Sequence, residues 1–121
     1  MPAVQTIAAK GIDSIHVLVK DLDRARTFYT DVIGLKVATT YPSGCEFELA
    51  DGSTFGISYM KDTFFPGGGM LFAVDDVAEA VSALKAAGVQ LFTEVQESPV
   101  CHIAWAADTE GNYFAVHKRK N

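Results

Sequence analysis

The residues with the clearest chemical capacity are the three histidines of the chain, His16, His102 and His117. Each lies in an apolar stretch that is typical of a β-strand, and the stretch around His16 reads Ile-His-Val-Leu-Val. A histidine can act as a general acid, a general base or a metal ligand near neutral pH. Beside a carboxylate such as Glu46 or Glu48 it would transfer protons or bind a divalent cation. A hydrogen-bonded strand residue without chemistry is the alternative for each histidine.

Side chains alternate between the two faces of a strand, so each predicted strand divides into two sets. One set is uniformly apolar, and we expect it to pack beneath helices. The other set mixes small residues with histidines, hydroxyls and carboxylates, which suits a concave ligand pocket better than a solvated face. This second set contains Ser14, His16, Glu46, Glu48, Ser58, His102, Ala104, Ala106, Tyr113, Ala115 and His117. Trp105 is predicted to lie in the apolar set, on the helix side.

The chain repeats one pattern of elements twice, and this duplication positions the polar set. Residues 12–60 read as a strand, a helix and three strands, and residues 70–121 read the same way. Residues 1–11 are interpreted as an N-terminal segment. Residues 61–69 contain Pro-Gly-Gly-Gly and are predicted to link the two repeats. The whole chain is expected to form one compact domain.

Both predicted helices have clear start and stop signals. Asp21 and Asp76 are typical N-cap residues, and Gly34 and Gly88 are typical of helix ends. Apolar residues at helical spacing follow each aspartate. The strands of the second repeat are predicted at 70–74, 89–95, 100–107 and 113–117.

Composition excludes several classes of protein. A chain of 121 residues with 49% hydrophobic and 21% charged residues is typical of a globular domain. A net charge of −5 and a basic cluster confined to 118–120 argue against nucleic-acid binding. No apolar run could cross a bilayer, and the first residues lack a signal-peptide pattern. Cys45 and Cys101 lack metal-ligand spacing, so we expect free, buried thiols in a cytoplasmic protein.

Four motifs resemble the vicinal oxygen chelate superfamily, which includes glyoxalase I, the bleomycin resistance proteins and extradiol dioxygenases. They are Val-Lys-Asp-Leu-Asp-Arg-Ala-Arg-Thr-Phe-Tyr at 19–29, Val-Ile-Gly-Leu-Lys-Val at 32–37, Phe-Ala-Val-Asp-Asp-Val at 72–77 and Asp-Thr-Glu-Gly-Asn at 108–112. The resemblance covers almost the whole chain after residue 10. It implies an α+β fold in which two tandem βαβββ modules form a curved mixed sheet around a central cavity, in a homodimer.

The resemblance also implies a divalent metal with histidine and glutamate ligands, and here the chain departs from the family. The corresponding positions are Ser14, Gly56, Gly69 and Ala115. None of these side chains binds a divalent ion with the usual strength. No cofactor is therefore predicted, and a divalent metal at a displaced site is the alternative.

The sequence thus predicts metal-independent binding of a small organic ligand in the concave pocket, as in the bleomycin resistance relatives. If the protein is an enzyme, His16 and Glu48 are the predicted catalytic residues. The predicted ligand-binding residues are Ser14, Ser58, His102, Tyr113 and His117. The alternative function is a lyase or isomerase of the glyoxalase type, using a displaced metal or a histidine–glutamate acid–base pair. Neither nucleic acid nor a membrane is an expected partner.

Overall fold

The computed structural model describes residues 6, 8, 10, 12–59 and 64–120. The first module consists of β1 (Ile15–Val19), α1 (Leu22–Thr27) with a π-helical continuation over Phe28–Val32, β2 (Lys36–Tyr41), β3 (Gly44–Glu48) and β4 (Thr54–Tyr59). The second consists of β5 (Gly68–Ala73), α2 (Val77–Ala86), β6 (Gln96–Glu97), β7 (Cys101–Ala107) and β8 (Tyr113–Arg119). The predicted α+β fold of two tandem βαβββ modules is confirmed. Within the described residues, no helix is long and apolar enough to span a membrane.

Most of the predicted N-terminal segment, 1–11, lies outside the described residues, as do residues 61–63 of the predicted linker. The described end of that linker is already part of a strand, because β5 begins at Gly68.

Each module forms its own four-stranded mixed sheet. The strand orders are β1-β4-β3-β2 and β5-β8-β7-β6. The first and last strands of each module pair in parallel, and the other neighbours pair antiparallel. A parallel partner can be reached only through a crossover, and here the helix and two strands provide it. The helix therefore covers one face of each sheet, and we call the other face the open face.

Both helices begin where the sequence predicts, because an aspartate caps each of them. Asp21 Oδ1 accepts the Arg24 N–H at 3.0 Å, and Asp76 Oδ1 accepts the Glu79 N–H at 3.0 Å. The glycines that follow the helices have φ values of +87° and +76°, in the left-handed region that ends a helix: Gly34 and Gly88.

The helix-facing sides of the two sheets share one hydrophobic core. Aromatic rings join the modules: the centroids of Phe28 and Phe114 are 6.1 Å apart, and those of Phe55 and Phe72 are 5.8 Å apart. Edge-to-face contacts of this kind add to the free energy gained from apolar burial. The core residues on the strands include Val17, Val19, Cys45, Phe47, Phe55, Ile57, Phe72, Ala104, Ala106, Phe114 and Val116. Cys45 is buried as predicted, whereas Cys101 is only half-buried.

One predicted strand, over 89–95, is wrong. The only pairing there is a single bridge between Leu91 and Ala106, and β6 lies further along the chain. Thr93 explains the difference, because its Oγ1 accepts the Trp105 N–H at 3.0 Å. A side-chain oxygen thus takes the place of the backbone carbonyl that a regular ladder would use.

A glutamate of the second module is buried against the first module. Glu110 lies in the turn between β7 and β8, and its side chain has no exposed surface. Its carboxylate accepts the N–H groups of Lys20 and Asp21 at 2.9 Å each and the Arg24 Nε–H at 2.7 Å. Burial alone would raise the pKa of Glu110. The Arg24 hydrogen bond and the two backbone N–H groups outweigh burial and lower the pKa to about 2.

Two further buried residues of the same turn complete this contact. Asp108 accepts the Tyr29 hydroxyl at 2.6 Å. Asn112 Nδ2 donates to the Leu18 carbonyl at 2.8 Å, and its Oδ1 accepts the Gly67 N–H at 2.8 Å. Burial, with the neighbouring Asp108 charge, raises the pKa of Tyr29. No buried side-chain nitrogen or oxygen in the described part of the chain lacks a hydrogen-bond partner. The polar contact between the modules is therefore fully satisfied.

The Glu110→Gln substitution is expected to lower the free energy of unfolding by about 2 to 3 kcal/mol, because it removes the charge and leaves buried donors facing an amide. Urea denaturation followed by Trp105 fluorescence measures this change. The matched control is Glu94→Gln, which breaks an ion pair with Lys85 whose glutamate side chain is 80% exposed. The control is expected to change the free energy by less than about 0.5 kcal/mol. Equal effects of the two substitutions would contradict the role of Glu110.

The same measurement at lower pH is a second control. The pKa of Glu110 is about 2 in the folded protein, against an ordinary value of 4.5. The stabilisation is therefore complete above pH 4.5 and is lost as the pH falls towards 2. The difference between the wild type and Glu110→Gln should shrink across this window. A difference independent of pH would show that the charge of Glu110 is not its cause.

Candidate functional site

The open face of the first sheet carries a connected row of polar side chains, which we call the His16 row. Its members are Ser58 on β4, His16 on β1, Glu46 on β3 and Tyr41 on β2. His16 Nδ1 lies 3.1 Å from Ser58 Oγ, and His16 Nε2 lies 3.0 Å from Glu46 Oε2. The Tyr41 hydroxyl donates to Glu46 Oε1 at 3.2 Å. The imidazole thus reaches across β4 and joins residues of all four strands.

Gly56 makes this row possible. The strand register places Gly56 between His16 and Glu46. A Cβ atom on Gly56 would lie 2.3 Å from His16 Cε1, which is too close for any non-bonded contact. The imidazole therefore lies over the β4 backbone where no side chain is present. A glycine in the middle of a strand is the sequence signal for such a close approach.

The metal-ligand pattern implied by the family does not fit the residues of this chain. A glutamate in place of Gly56 would collide with the His16 ring. Ala115 is fully buried and offers no donor atom, and Ser14 offers only a hydroxyl. The described residues contain no group of three His, Cys, Asp or Glu side chains that could hold a metal ion.

The carboxylate beside His16 is that of Glu46 and not that of Glu48, the predicted catalytic partner. Glu46 faces Gly56 in the register, and Glu48 faces Thr54 one row away. On its other side Glu48 pairs in register with Lys36 on β2. Glu48 does lie on the open face, as predicted, but outside the His16 row. The sequence pattern alone could not decide between two glutamates of the same parity.

Two other predicted ligand-binding residues lie on or beside this face. Ser58 belongs to the His16 row and is half-buried. Ser14 immediately precedes β1 and is also half-buried, but the hydrogen bonds of the row do not include it.

The predicted faces of β7 are wrong, and the register with β8 corrects them. Trp105 pairs with Ala115, and Ala104 pairs with the core residue Val116. Trp105 therefore lies on the open face, where its ring centroid is 5.9 Å from that of Tyr113. Both faces of β7 are apolar, so hydrophobicity could not distinguish them. The alanines face the helix side because the core aromatic rings leave room there only for small side chains.

His102 is also on the opposite face from the predicted one. It pairs with Lys118, and both lie on the helix side of the second sheet. Lys118 Nζ donates to the Asp75 carbonyl beside the start of α2, and His102 Nε2 lies 3.7 Å from a Glu97 carboxylate oxygen. The prediction that His102 lines the pocket is therefore wrong. As for Trp105, the hydrophobicity of β7 could not indicate which of its faces is the open one.

The open face of the second sheet carries an apolar group that we call the aromatic patch. Its residues, Phe92, Thr93, Trp105 and Tyr113, line a shallow concavity of about 380 Å³. His117 lies on the same face, because it pairs with Ile103 two positions before Trp105. Tyr113 and His117 were thus predicted on the correct face. The contacts of the described residues bring Ser58 and His16 together, but they do not bring either to Tyr113 or His117.

The internal duplication contains the signal that sequence reasoning missed. In the first module, His16, Gly56 and Glu46 are neighbours across three strands. At the equivalent places of the second module, the neighbours are Leu71, Ala115 and Trp105. When the two repeats are aligned strand by strand, Trp105 occupies the position equivalent to Glu46. This alignment predicts that Trp105 lies on the open face.

A cleft of about 890 Å³ lies on the helix side of the described part of the chain. It runs between α1 and the residues that follow α2, and Arg24 and Asp108 form part of its wall. Both residues are engaged in the contact between the modules. The His16 row and the aromatic patch lie on the other face of the sheets.

Comparison with known proteins agrees with this architecture. The family model described as the Glyoxalase/Bleomycin resistance protein/Dioxygenase superfamily matches residues 11–116. A search of curated protein sequences finds no significant match. Among solved structures, the chain is similar to TnmS3, an antibiotic binding protein from Streptomyces sp. CB03234, with 20% identity and a TM-score of 0.80 over 95% of this chain and 100% of the other.

Two further solved structures are also similar to this chain. Lactoylglutathione lyase from Agrobacterium tumefaciens has 19% identity and a TM-score of 0.76, over 92% of this chain and 95% of the other. A glyoxalase/bleomycin resistance protein from Streptomyces sp. CB03234 has 22% identity and a TM-score of 0.72, over 84% and 95%. At these identities the likeness establishes the fold, and the family model establishes membership. The chain therefore belongs to the glyoxalase/bleomycin resistance protein/dioxygenase superfamily.

Proposed function

We propose that this protein binds a small organic molecule, aromatic or amphiphilic, on its open faces without a metal ion. The observation that carries the proposal is the contrast between a hydrogen-bonded polar row on one open face and an aromatic patch on the other. Ligand pockets usually combine apolar walls with a few oriented polar groups in this way. The similarity to an antibiotic binding protein supports the same function.

The exposure of the aromatic patch supports a binding role. Tyr113 is 47% exposed and Phe92 is 53% exposed, although both are large side chains that a stable core would normally bury. Grouped aromatic side chains that remain accessible are typical of interaction sites. A flat apolar ligand would stack on the face of Trp105 or Tyr113 and contact the other ring at an angle, because the two rings are tilted by 56° to one another.

Metal-independent binding is supported by the same substitutions that remove the family's ligand pattern. Gly56 and Ala115 stand where the family resemblance implies metal ligands, and neither side chain can bind a metal ion. In the first module the imidazole of His16 lies against Gly56, and both of its nitrogens form hydrogen bonds. The polar groups that remain are suited to orienting an organic ligand.

We also propose a homodimer, in which a second copy covers the open faces. Within one chain the described contacts keep the His16 row on the first sheet and the aromatic patch on the second. Tyr41 and Leu71, one on each open face, are 43% and 45% exposed. A partner that places its aromatic patch opposite the His16 row would enclose a ligand between polar and apolar walls and exclude water from it.

The aromatic patch is expected to bind naphthylmethanol, a neutral aromatic probe, and to report it by quenching of Trp105 fluorescence. The Tyr113→Ala substitution should weaken binding by about tenfold, because it removes one stacking surface. The matched control is Tyr59→Ala, which removes a tyrosine of similar exposure, 42%, that lies outside the patch. Equal losses in both variants, or no saturable quenching in the wild type, would contradict the proposed site.

Analytical ultracentrifugation at tens of micromolar is expected to give twice the chain mass of 13.0 kDa. The Leu71→Glu substitution should shift the protein to the monomer, because it places a charge on the open face. Val100→Glu is the control, since Val100 is 71% exposed on the loop before β7. A wild-type monomer at this concentration would overturn the dimer proposal.

The His16–Glu46 hydrogen bond favours one second candidate, a lyase or isomerase of the glyoxalase type. A carboxylate that orients an imidazole is the usual arrangement of a general base. Metal-independent binding predicts no turnover of lactoylglutathione, with or without added zinc or nickel. Turnover that disappears in the His16→Ala variant would replace the binding function with the catalytic one, and loss on chelation would show that a metal takes part.

A further inference from the structure

We propose that the His16 row binds a protonated amine, so that the ligand is an organic ammonium ion with an apolar or aromatic body. This inference rests on the ligand binding proposed above, and it adds the chemical class of the ligand. The proposed function leaves the polar group of the ligand unspecified. The hydrogen-bond polarity and the charge of the row are the independent observations that select the amine.

The positions of the hydrogens in the row follow from its members. A carboxylate only accepts hydrogen bonds, so the 3.0 Å contact with Glu46 requires a hydrogen on His16 Nε2. A neutral imidazole has one N–H group, and Nδ1 must then be an acceptor. With the imidazole neutral, the Ser58 hydroxyl therefore donates to Nδ1 across 3.1 Å. At the other end the Tyr41 hydroxyl donates to the second oxygen of Glu46.

In the row with a neutral imidazole, these contacts use every polar hydrogen. The two oxygens at its ends, Ser58 Oγ and Tyr41 Oη, have only lone pairs left for a ligand. A ligand group that donates hydrogen bonds completes the row. A carbonyl or carboxylate placed at the same point would meet acceptors only, and this is unfavourable in a partly desolvated site.

The charge of the row also favours a ligand that carries an ammonium group. With a neutral imidazole, the row carries the single negative charge of Glu46. The nearest basic residue by register is Lys36, which pairs with Glu48 and not with Glu46. The ion pairs of the described residues give Glu46 no lysine or arginine partner.

The row is also accessible to a ligand, and Glu46 is partly covered by the protein. The side chains of Glu46 and His16 are 24% and 34% exposed. A charge at this depth attracts a ligand cation more strongly than a fully solvated one does. Leu18 is the neighbour of Ser58 on β1 and offers apolar surface to the body of the ligand. An ammonium group on an apolar scaffold satisfies all of these features together.

A matched series of three probes tests the inference by isothermal calorimetry: naphthylmethylammonium, naphthylmethanol and naphthoate. The wild type is expected to bind the ammonium about tenfold more tightly than the alcohol, and naphthoate the most weakly. Glu46→Gln keeps the shape of the side chain and removes its charge, so the ammonium preference should fall to about twofold or less. Glu48→Gln is the control, because it removes a charge from the same face outside the row and should leave the preference unchanged.

A second variant keeps the test independent of the charge at position 46. Ser58→Ala removes one terminal acceptor and is expected to weaken binding of the ammonium several-fold while circular dichroism stays unchanged. Equal affinity for the three probes, or a preference that survives Glu46→Gln, would overturn the amine and leave ligand binding in place. Failure of all three probes to bind would overturn both proposals.

Discussion

The arrangement of the two modules depends on one buried carboxylate. Removing an ionised carboxylate from water is costly, and the cost is offset only where several donors converge on it. Glu110 meets this condition, because backbone N–H groups, the Thr109 hydroxyl and the Arg24 guanidinium all point at it. Thr109 lies in the same turn as Glu110. The other donors lie around the start of α1. The second module therefore holds the start of the first helix, which follows directly after β1.

Only the second module uses this turn to contact the other module, although the two modules repeat the same order of elements. The equivalent turn of the first module carries Asp51, which accepts the Ser53 N–H at 2.9 Å and the Ser53 hydroxyl at 2.5 Å within its own turn. The hydrogen bond from the Ser53 hydroxyl lowers the pKa of Asp51 more than any other contact does. One copy of the turn thus stabilises itself, and the other reaches across to its neighbour. Duplication gave two similar modules, and the polar contacts then diverged.

The open faces diverged in the same way. A central small residue, Gly56 in one module and Ala115 in the other, lies between two longer side chains. The glycine admits a histidine ring against the backbone, and the alanine cannot admit a ring as closely. One face therefore became a polar row and the other an aromatic patch. Polar and aromatic side chains are thus divided between the open faces of the two modules.

Sequence alone determined much of this molecule. The duplication, the α+β class, both helix starts and the faces of the first sheet follow from patterns that are local. Asp21 caps its helix whatever lies around it, and the parity of β1 is clear because polar and apolar residues alternate there. The serine, glycines and alanine at the positions where the family resemblance implies metal ligands can likewise be read directly from the sequence.

Only the tertiary structure decided which side chains of the candidate site are neighbours. Glu46 and Glu48 share one parity, and the cross-strand register alone chose Glu46 as the partner of His16. Trp105 was assigned to the wrong face because β7 is apolar on both sides, so that packing against core rings and not hydrophobicity set its orientation. Thr93 broke a predicted strand through a hydrogen bond to a residue distant in sequence. Each of these outcomes depends on which strands become neighbours, and no local pattern contains that information.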